Sequence, residues 1–303
     1  MLASDLAPEA REPLTRAELE SVEWPHRSAP CRALDFRFVV RSTDVQLGRR
    51  LDRLFAPFVT TDEPLYEYSI VDRGARGDAI DLYENGALVE RAPAVVEHLM
   101  WRVNRHVVES SGRYLLLHAA AAQLDDAGLI LPAPSGSGKT TLVAGLVRAG
   151  LRYLTDEAAA LDPRSGLLEP YPKALAVESG SWDVLGDLAP DGFDHDIARS
   201  TTTQWLVEPT SIRAGAVGSR CRTRLVIGPT YEPGAATELK PISRAMGVAF
   251  LVENSFNFKQ HGRQGLQLLF ETVRHADCYL LRFSDLDDAC NEIVQMLSKK
   301  AAS

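Results

Sequence analysis

Apolar residues along the chain fall into runs whose spacing predicts the elements. Thr15 and Glu18 stand at capping-box spacing and predict a short helix over Leu14 to Val22. The rest of residues 1–30, rich in Pro, Ala and charge, is expected to be loosely held. Leu34, Phe36, Phe38 and Val40 recur at every second position, the period of a half-buried strand, and Leu47, Leu51, Leu54 and Phe55 give Val45 to Phe55 helical spacing. Tyr66 to Asp72 and Ala79 to Tyr83 read as strands. Asn85-Gly86 reads as a hairpin turn, with Ala87 to Arg91 as the return strand. Residues 31–92 thus form a small α+β module with no catalytic spacing, suited to packing or recognition. Pro93 opens a helix over Ala94 to Glu109, with Val96, Leu99, Met100, Val103 and Val107 on its apolar side. Tyr114 to Ala121 is a buried strand with one polar residue, His118.

The pattern then changes character. Leu129 to Leu131 is a short buried strand, Ala133 to Gly138 is a loop of small residues, and Leu142, Val143, Leu146 and Val147 mark one face of a helix. Strand, glycine loop and helix in that order make the context of a phosphate-binding loop. The loop Pro134-Ser135-Gly136-Ser137-Gly138-Lys139-Thr140-Thr141 can turn several N–H groups onto one anion, beside the positive end of the helix. Lys139 would reach the β- and γ-phosphates of a nucleoside triphosphate, and the Thr140 hydroxyl would hold Mg²⁺. Ala133 occupies the position of the usual first glycine, which matters if that position needs a positive φ.

Gly150 is expected to cap the helix, and Tyr153 to Thr155 forms a strand that ends on Asp156-Glu157. Ala158 to Leu161 continues apolar to the turn Asp162 to Gly166, and residues 167–240 are short segments broken by Pro and Gly. In that stretch Thr223 to Ile227 is the clearest strand and Pro229 to Ala236 a turn-rich loop. Ile242 to Phe256 and Gln264 to His275 read as helices, Cys278 to Phe283 as a strand, and Asp285 to Lys299 as a closing helix capped by Ser284. Short strands with few long βα units point to a mixed sheet.

The whole chain, 303 residues with 45% hydrophobic and 24% charged positions, has the composition of a globular protein. No apolar run is long enough to cross a membrane, and the N-terminus has no apolar core of the signal-peptide kind, so a cytoplasmic location without a membrane partner is expected. The four cysteines are scattered, with no C-x-x-C pair, which argues against a disulfide framework or structural zinc. A net charge of −8 argues against nucleic acid as a general partner.

Leu116-Leu117-His118-Ala119, the loop Ala133 to Thr140, and Leu154-Thr155-Asp156-Glu157, in that order and spacing, resemble the HPr kinase/phosphorylases and their related protein kinases. The resemblance is specific over roughly residues 112–161. It continues weakly through Pro170-Tyr171-Pro172-Lys173 and Tyr231-Glu232-Pro233-Gly234, which resemble divergent HPr kinase-like proteins. It implies an α/β phosphate-loop kinase domain akin to phosphoenolpyruvate carboxykinase over residues 93–303, with a mixed sheet, preceded by the α+β module. It also implies transfer of the γ-phosphoryl group of ATP, with Mg²⁺, to a Ser or Thr hydroxyl of a peptide or protein partner. Asp156 then matches the base toward the acceptor, Glu157 a metal and phosphate-site carboxylate, and His118 the histidine beside the transferring group, with Lys139 and Thr140 on the phosphates and metal. The family is hexameric, which leaves a homo-oligomer open.

The family's Glu-x-Arg-Gly signature after the acidic pair is missing, and Pro170 to Val177 occupies that region, so phosphorylase activity is not implied. Phosphoryl transfer also calls for extra positive charge on the phosphate oxygens. Lys173, whose backbone follows Pro170 and Pro172, Arg222, Arg224 and Arg244 are the candidates. Two other readings use the same loop: a kinase for a small sugar or alcohol, and a switch in which nucleotide binding regulates a partner.

Overall fold

The computed structural model describes residues 12–72, 80–93, 95–190 and 204–301. The chain divides into two compact units, one ending at Val107 and the other beginning at Val108. The expected element starts at Ala79 and Ala94, and the segment before residue 12, lie outside the described residues.

In the first unit α1 (Arg16–Ser21) carries the anticipated capping box. Thr15 accepts from the Glu18 N–H, and the Glu18 carboxylate accepts from the Thr15 N–H. There follow β1 (His26–Arg27), β2 (Cys31–Ala33), β3 (Phe36–Ser42), α2 (Val45–Phe55), β4 (Tyr66–Val71), β5 (Ile80–Glu84), β6 (Ala87–Ala92) and α3 (Val95–Ser110). The sheet runs β1-β3-β4-β5-β6, with β2 also on β3. β3 and β4 are parallel and joined through α2, which buries Leu51, Leu54 and Phe55. Phe55 and Tyr68 meet Phe38 edge-on at 5.1 and 6.0 Å between ring centroids.

Three expectations need correction here. Leu34 is not strand but turn, at φ 52°. The segment before residue 31 is not uniformly loose, because β1 pairs with β3 and the Ser28 N–H donates to the Val40 carbonyl at 2.8 Å. A two-residue strand has no period of its own and is ordered by its partner. The boundary between the units also falls inside α3, not before residue 93, because Val103 and Val107 continue the buried face of that helix. The Asn85-Gly86 turn is as expected: both residues have positive φ, 47° and 88°, which the tightest hairpin turn demands.

The second unit is built on β7 (Leu115–Leu124), β8 (Ala127–Pro132), α4 (Lys139–Arg148), β9 (Arg152–Thr155), β10 (Ala158–Leu161), β11 (Leu168–Glu169), β12 (Leu175–Glu178), β13 (Gln204–Val207), α5 (Pro209–Ile212), β14 (Arg222–Tyr231), β15 (Glu238–Pro241), α6 (Arg244–Glu253), α7 (Phe258–Arg274), β16 (Asp277–Phe283) and α8 (Leu286–Ala301). Its main sheet is mixed, as expected, in the order β11-β10-β7-β8-β14-β16-β15, with β9 also on β7. β8, β14 and β16 are parallel, and the other pairings are antiparallel. β12 and β13 form a separate pair.

Alternation along β7 separates two cores. Ala120 and Ala122 face a core with Leu142 and Leu146 of α4 and Ile293 and Leu297 of α8, floored by the stacked rings of Trp182 and Trp205. Ala119 and Ala121 face a second core with Leu251 of α6 and Leu269 and Val273 of α7. α4 and α8 approach closely at Gly145, where an added Cβ would lie 2.8 Å from the Cys290 sulfur. The four cysteines are buried and unlinked, and burial pushes the Cys290 thiol up to about 12.

Several boundaries move. Pro229 to Tyr231 belong to β14, not to the loop that follows, because they pair with Leu281 to Phe283 of β16. Pro229 lies beyond the last pair of β14 with β8, Val226 with Ile130, so its missing N–H is tolerated on that flank. β15 is an addition, held by β16. α7 starts early, at Phe258, and breaks its helical geometry at Gly262, φ 50°. Asp285, not Ser284, caps α8: its carboxylate accepts from the Asp288 N–H at 2.8 Å, while the Ser284 hydroxyl donates to the Ala235 carbonyl. Ala149 is the cap of α4, and Gly150 follows it at φ 106°.

Candidate active site

The site begins where β8 ends. Ala119 of β7 pairs with Pro132, so the loop from Ala133 leaves the sheet at that level. On the other side of β7, Thr155 pairs with Ala121 and Ala158 with His118, and the Ala119 N–H donates to the Glu157 carbonyl at 3.2 Å. Register alone therefore brings Asp156 and Glu157 level with the start of the loop, and puts His118 one residue beyond it.

Within the loop Gly136 and Gly138 take φ 78° and 86°, and Gly138 caps α4 without a side-chain acceptor. Ala133 is not among the non-glycine residues with positive φ, so a methyl group is admitted where the usual pattern has glycine; it is buried. The Lys139 ammonium folds back onto its own loop and donates to the carbonyls of Ala133 at 2.7 Å and Pro134 at 2.8 Å. Burial holds its pKa below the ordinary lysine value, with Glu157 and Asp156 acting the other way. The Ser137 hydroxyl is buried with no hydrogen-bond partner among the described residues.

The two adjacent carboxylates have different surroundings. Four donors converge on Asp156: Lys173 Nζ at 2.6 Å and Tyr153 OH at 2.8 Å on Oδ1, and Thr140 Oγ1 and the Ala176 N–H, each at 3.3 Å, on Oδ2. Its side chain is only 2% exposed, so the lone pairs of a carboxylate are used up inside the protein. Glu157 is 36% exposed at the side chain, and His118 Nε2 lies 4.0 Å from its Oε1. Burial raises the Glu157 pKa, opposed by Lys173 and aided by Asp156. The His118 pKa is lowered by burial and by Lys139, which favours the neutral imidazole.

A cleft of about 580 Å³ joins these groups. Of the residues singled out from the sequence, His118, Ser135, Gly136, Gly138, Lys139, Thr140, Thr141, Asp156 and Glu157 line it, while Pro134 and Ser137 do not. Lys173 lies behind Asp156 as its buried counter-ion and does not line the cleft, so its expected place as a phosphate contact is corrected. Arg222, Arg224 and Arg244 are also absent from the lining. Arg222 pairs with Ala127, at the start of β8 and roughly 16 Å along the strand from Pro132, and Arg224 sits in the adjacent register shift. Arg244 opens α6.

Sequence reasoning missed Tyr153 and Ala176. Tyr153 lies three residues before Asp156, where its apolar run reads as plain strand. Ala176 contributes a backbone N–H that no side-chain pattern marks. Tyr231, part of the Tyr-Glu-Pro-Gly run, is 52% exposed and also lines the cleft.

The donor set fits a hard divalent ion. Thr140 gives its proton to Asp156 and keeps its oxygen lone pairs, which suits Mg²⁺ completed by phosphate and water oxygens. Among the described residues no group of three or more His, Cys, Asp or Glu is placed to hold a metal. No described helix is long and apolar enough to cross a membrane.

No family model matches the chain, and no curated protein matches it. Among solved structures it is similar to the Hpr(Ser) kinase/phosphatase from Coxiella burnetii, at 11% identity and a TM-score of 0.28, over 62% of this chain and 95% of that one. A likeness that slight fixes neither fold nor activity.

Proposed function

We propose that this chain is an ATP- and Mg²⁺-dependent phosphotransferase that moves the γ-phosphoryl group to a Ser or Thr hydroxyl of a peptide or protein. The observation that carries this reading is the convergence, in one cleft, of a glycine loop opening a helix at Lys139-Thr140 with the Asp156-Glu157 pair. The loop N–H groups and Lys139 would take the phosphates, Lys139 exchanging its loop carbonyls for phosphate oxygens. Mg²⁺, held through Thr140 with Asp156 behind it, would offset charge on the phosphate oxygens.

The surroundings of the two carboxylates favour dividing their work in the opposite sense to the resemblance. Asp156, sequestered by four donors, is suited to orienting Thr140. Glu157, facing the cleft, is suited to act as base. In the step, the acceptor oxygen bonds to the γ-phosphorus as its proton passes to a Glu157 oxygen. The bond from that phosphorus to the bridging oxygen breaks, and ADP leaves with the electron pair. Neutral His118, 4.0 Å from Glu157, would orient the acceptor or a phosphate oxygen.

About 580 Å³ is the volume of a single small-molecule site, so a bound triphosphate would take up much of it and an acceptor hydroxyl of either kind would enter from the rim. The test is the fate of label from γ-labelled ATP, given Mg²⁺ and protein and small-molecule fractions in turn. Label in a peptide or protein, lost in Lys139→Ala, is the expected result. Label in small molecules alone would favour the sugar or alcohol kinase. Release as free phosphate whatever is added would leave a switch or ATPase.

A further inference from the structure

The phosphate loop has two flanks, and they differ. In the sheet order, β8 lies between β7, with β9 and β10 beyond it, and β14, with β16 beyond that. His118, Asp156 and Glu157 come from the β7 side. From the β14 side comes Tyr231, the last residue of that strand, paired in register with Phe283, the last of β16. The rings of Tyr231 and Phe283 meet edge-on, with centroids 5.9 Å apart and planes at 74°. Phe283 is buried, whereas Tyr231 is 52% exposed; it is the exposed large aromatic that lines this cleft among the described residues. Both stand against the loop, since a Cβ added to Gly138 would lie 3.6 Å from the Tyr231 Cβ and 3.8 Å from Phe283 Cζ.

We infer that the Tyr231 ring, braced by Phe283, is the platform on which the base of the bound nucleotide stacks. This rests on the nucleotide-binding reading above and adds the base-binding half of the site. A triphosphate whose γ-phosphoryl group lies by Glu157 runs across the loop, and its nucleoside end arrives on the β14 side. There the cleft presents an aromatic face, and the Arg148 guanidinium that also lines it is paired with Asp187. The nearby carboxylates of Asp285 and Asp287 suit the donor hydroxyls of a ribose and repel phosphate, which sets the direction of the chain. Asp285 keeps one oxygen on the Asp288 N–H, so its orientation is fixed. Base–aromatic stacking tolerates any base, so this platform supplies affinity more than choice among bases.

The experiment compares binding of ATP and of inorganic tripolyphosphate, each with Mg²⁺, to the full chain and to Tyr231→Ala and Tyr231→Phe by titration calorimetry. The wild type should bind ATP more tightly than tripolyphosphate. Tyr231→Ala should weaken ATP by about tenfold, within the range of one stacking contact, and leave tripolyphosphate unchanged. Tyr231→Phe, which keeps the ring, should match the wild type for both. Equal ATP affinity in wild type and Tyr231→Ala would overturn the platform while leaving the phosphate site intact. Binding of neither ATP nor tripolyphosphate by the wild type would overturn the nucleotide reading itself, and the platform with it.

Discussion

The two ends of β14 open onto two different clefts. Arg222 begins the strand and lines the larger, about 740 Å³, together with Arg113 and Arg164; Tyr231 ends it and lines the smaller, about 580 Å³. By size and positive charge the first cleft is the better candidate for phosphates. Its cations, however, are partly committed: Arg113 and Arg164 both pair with Asp162, at 3.2 and 3.8 Å. The second cleft has less open cationic charge but has the backbone, two glycines at positive φ and a helix that starts at Lys139. On the proposed reading, an anion site is made by converging N–H groups and a lysine at the helix start more than by the number of arginines near a hollow.

The sharpest test of that contrast is in stability. Lys173→Met leaves Asp156 buried without its counter-ion and should cost about 3–5 kcal/mol in chemical denaturation. Arg113→Met removes a partly exposed partner from Asp162, which keeps Arg164 and its N–H, and should cost less, about 1–3 kcal/mol. Equal losses would mean that the two ion pairs are not differently buried in solution.

Ligand linkage comes next. With ATP at a hundred times its dissociation constant, the wild type should gain about 2.7 kcal/mol of stability. Lys139→Ala should lose nearly all of that gain in a thermal shift assay, and Arg222→Ala none of it. A loss in Arg222→Ala would move the nucleotide to the other end of β14.

The smallest effect concerns Glu157. Its folded pKa is raised, first by burial, so the ionised side chain costs stability above that pKa, and the cost disappears as pH falls below the unfolded value of about 4.3. Glu157→Gln should therefore melt slightly higher than wild type near pH 7, with the gain fading toward pH 4.

Much of this was legible in the chain. The glycine loop, α4 and the hairpin at Asn85-Gly86 carry their own local signals, in residues that permit positive φ and in helical spacing. What was not legible was set by partners far away in sequence. β1 and β15 exist because β3 and β16 pair with them, and β14 runs on through Pro229 because β16 continues beside it. At the site the order of the motifs was legible, and the pairing of β7 with its neighbours, which was not, delivers His118 and the acidic pair to the loop. Which carboxylate is sequestered could not be anticipated, because Lys173 and Ala176, some twenty residues downstream, decide it. Arg222 and Arg224 fall away from the site for a similar reason: spacing gives no measure of which end of a strand faces the loop.

The central claim is that Glu157 and Asp156 do different work in one cleft. It is tested most directly by measuring, on the same preparations of Glu157→Gln and Asp156→Asn, both Mg²⁺–ATP affinity and γ-phosphoryl transfer. Glu157→Gln should bind Mg²⁺–ATP as the wild type does and lose transfer by about 10²–10⁴-fold, the size of a general-base effect. Asp156→Asn should lose Mg²⁺-dependent affinity first. The opposite pattern, with binding intact in Asp156→Asn and lost in Glu157→Gln, would contradict the account and return the role of base to Asp156.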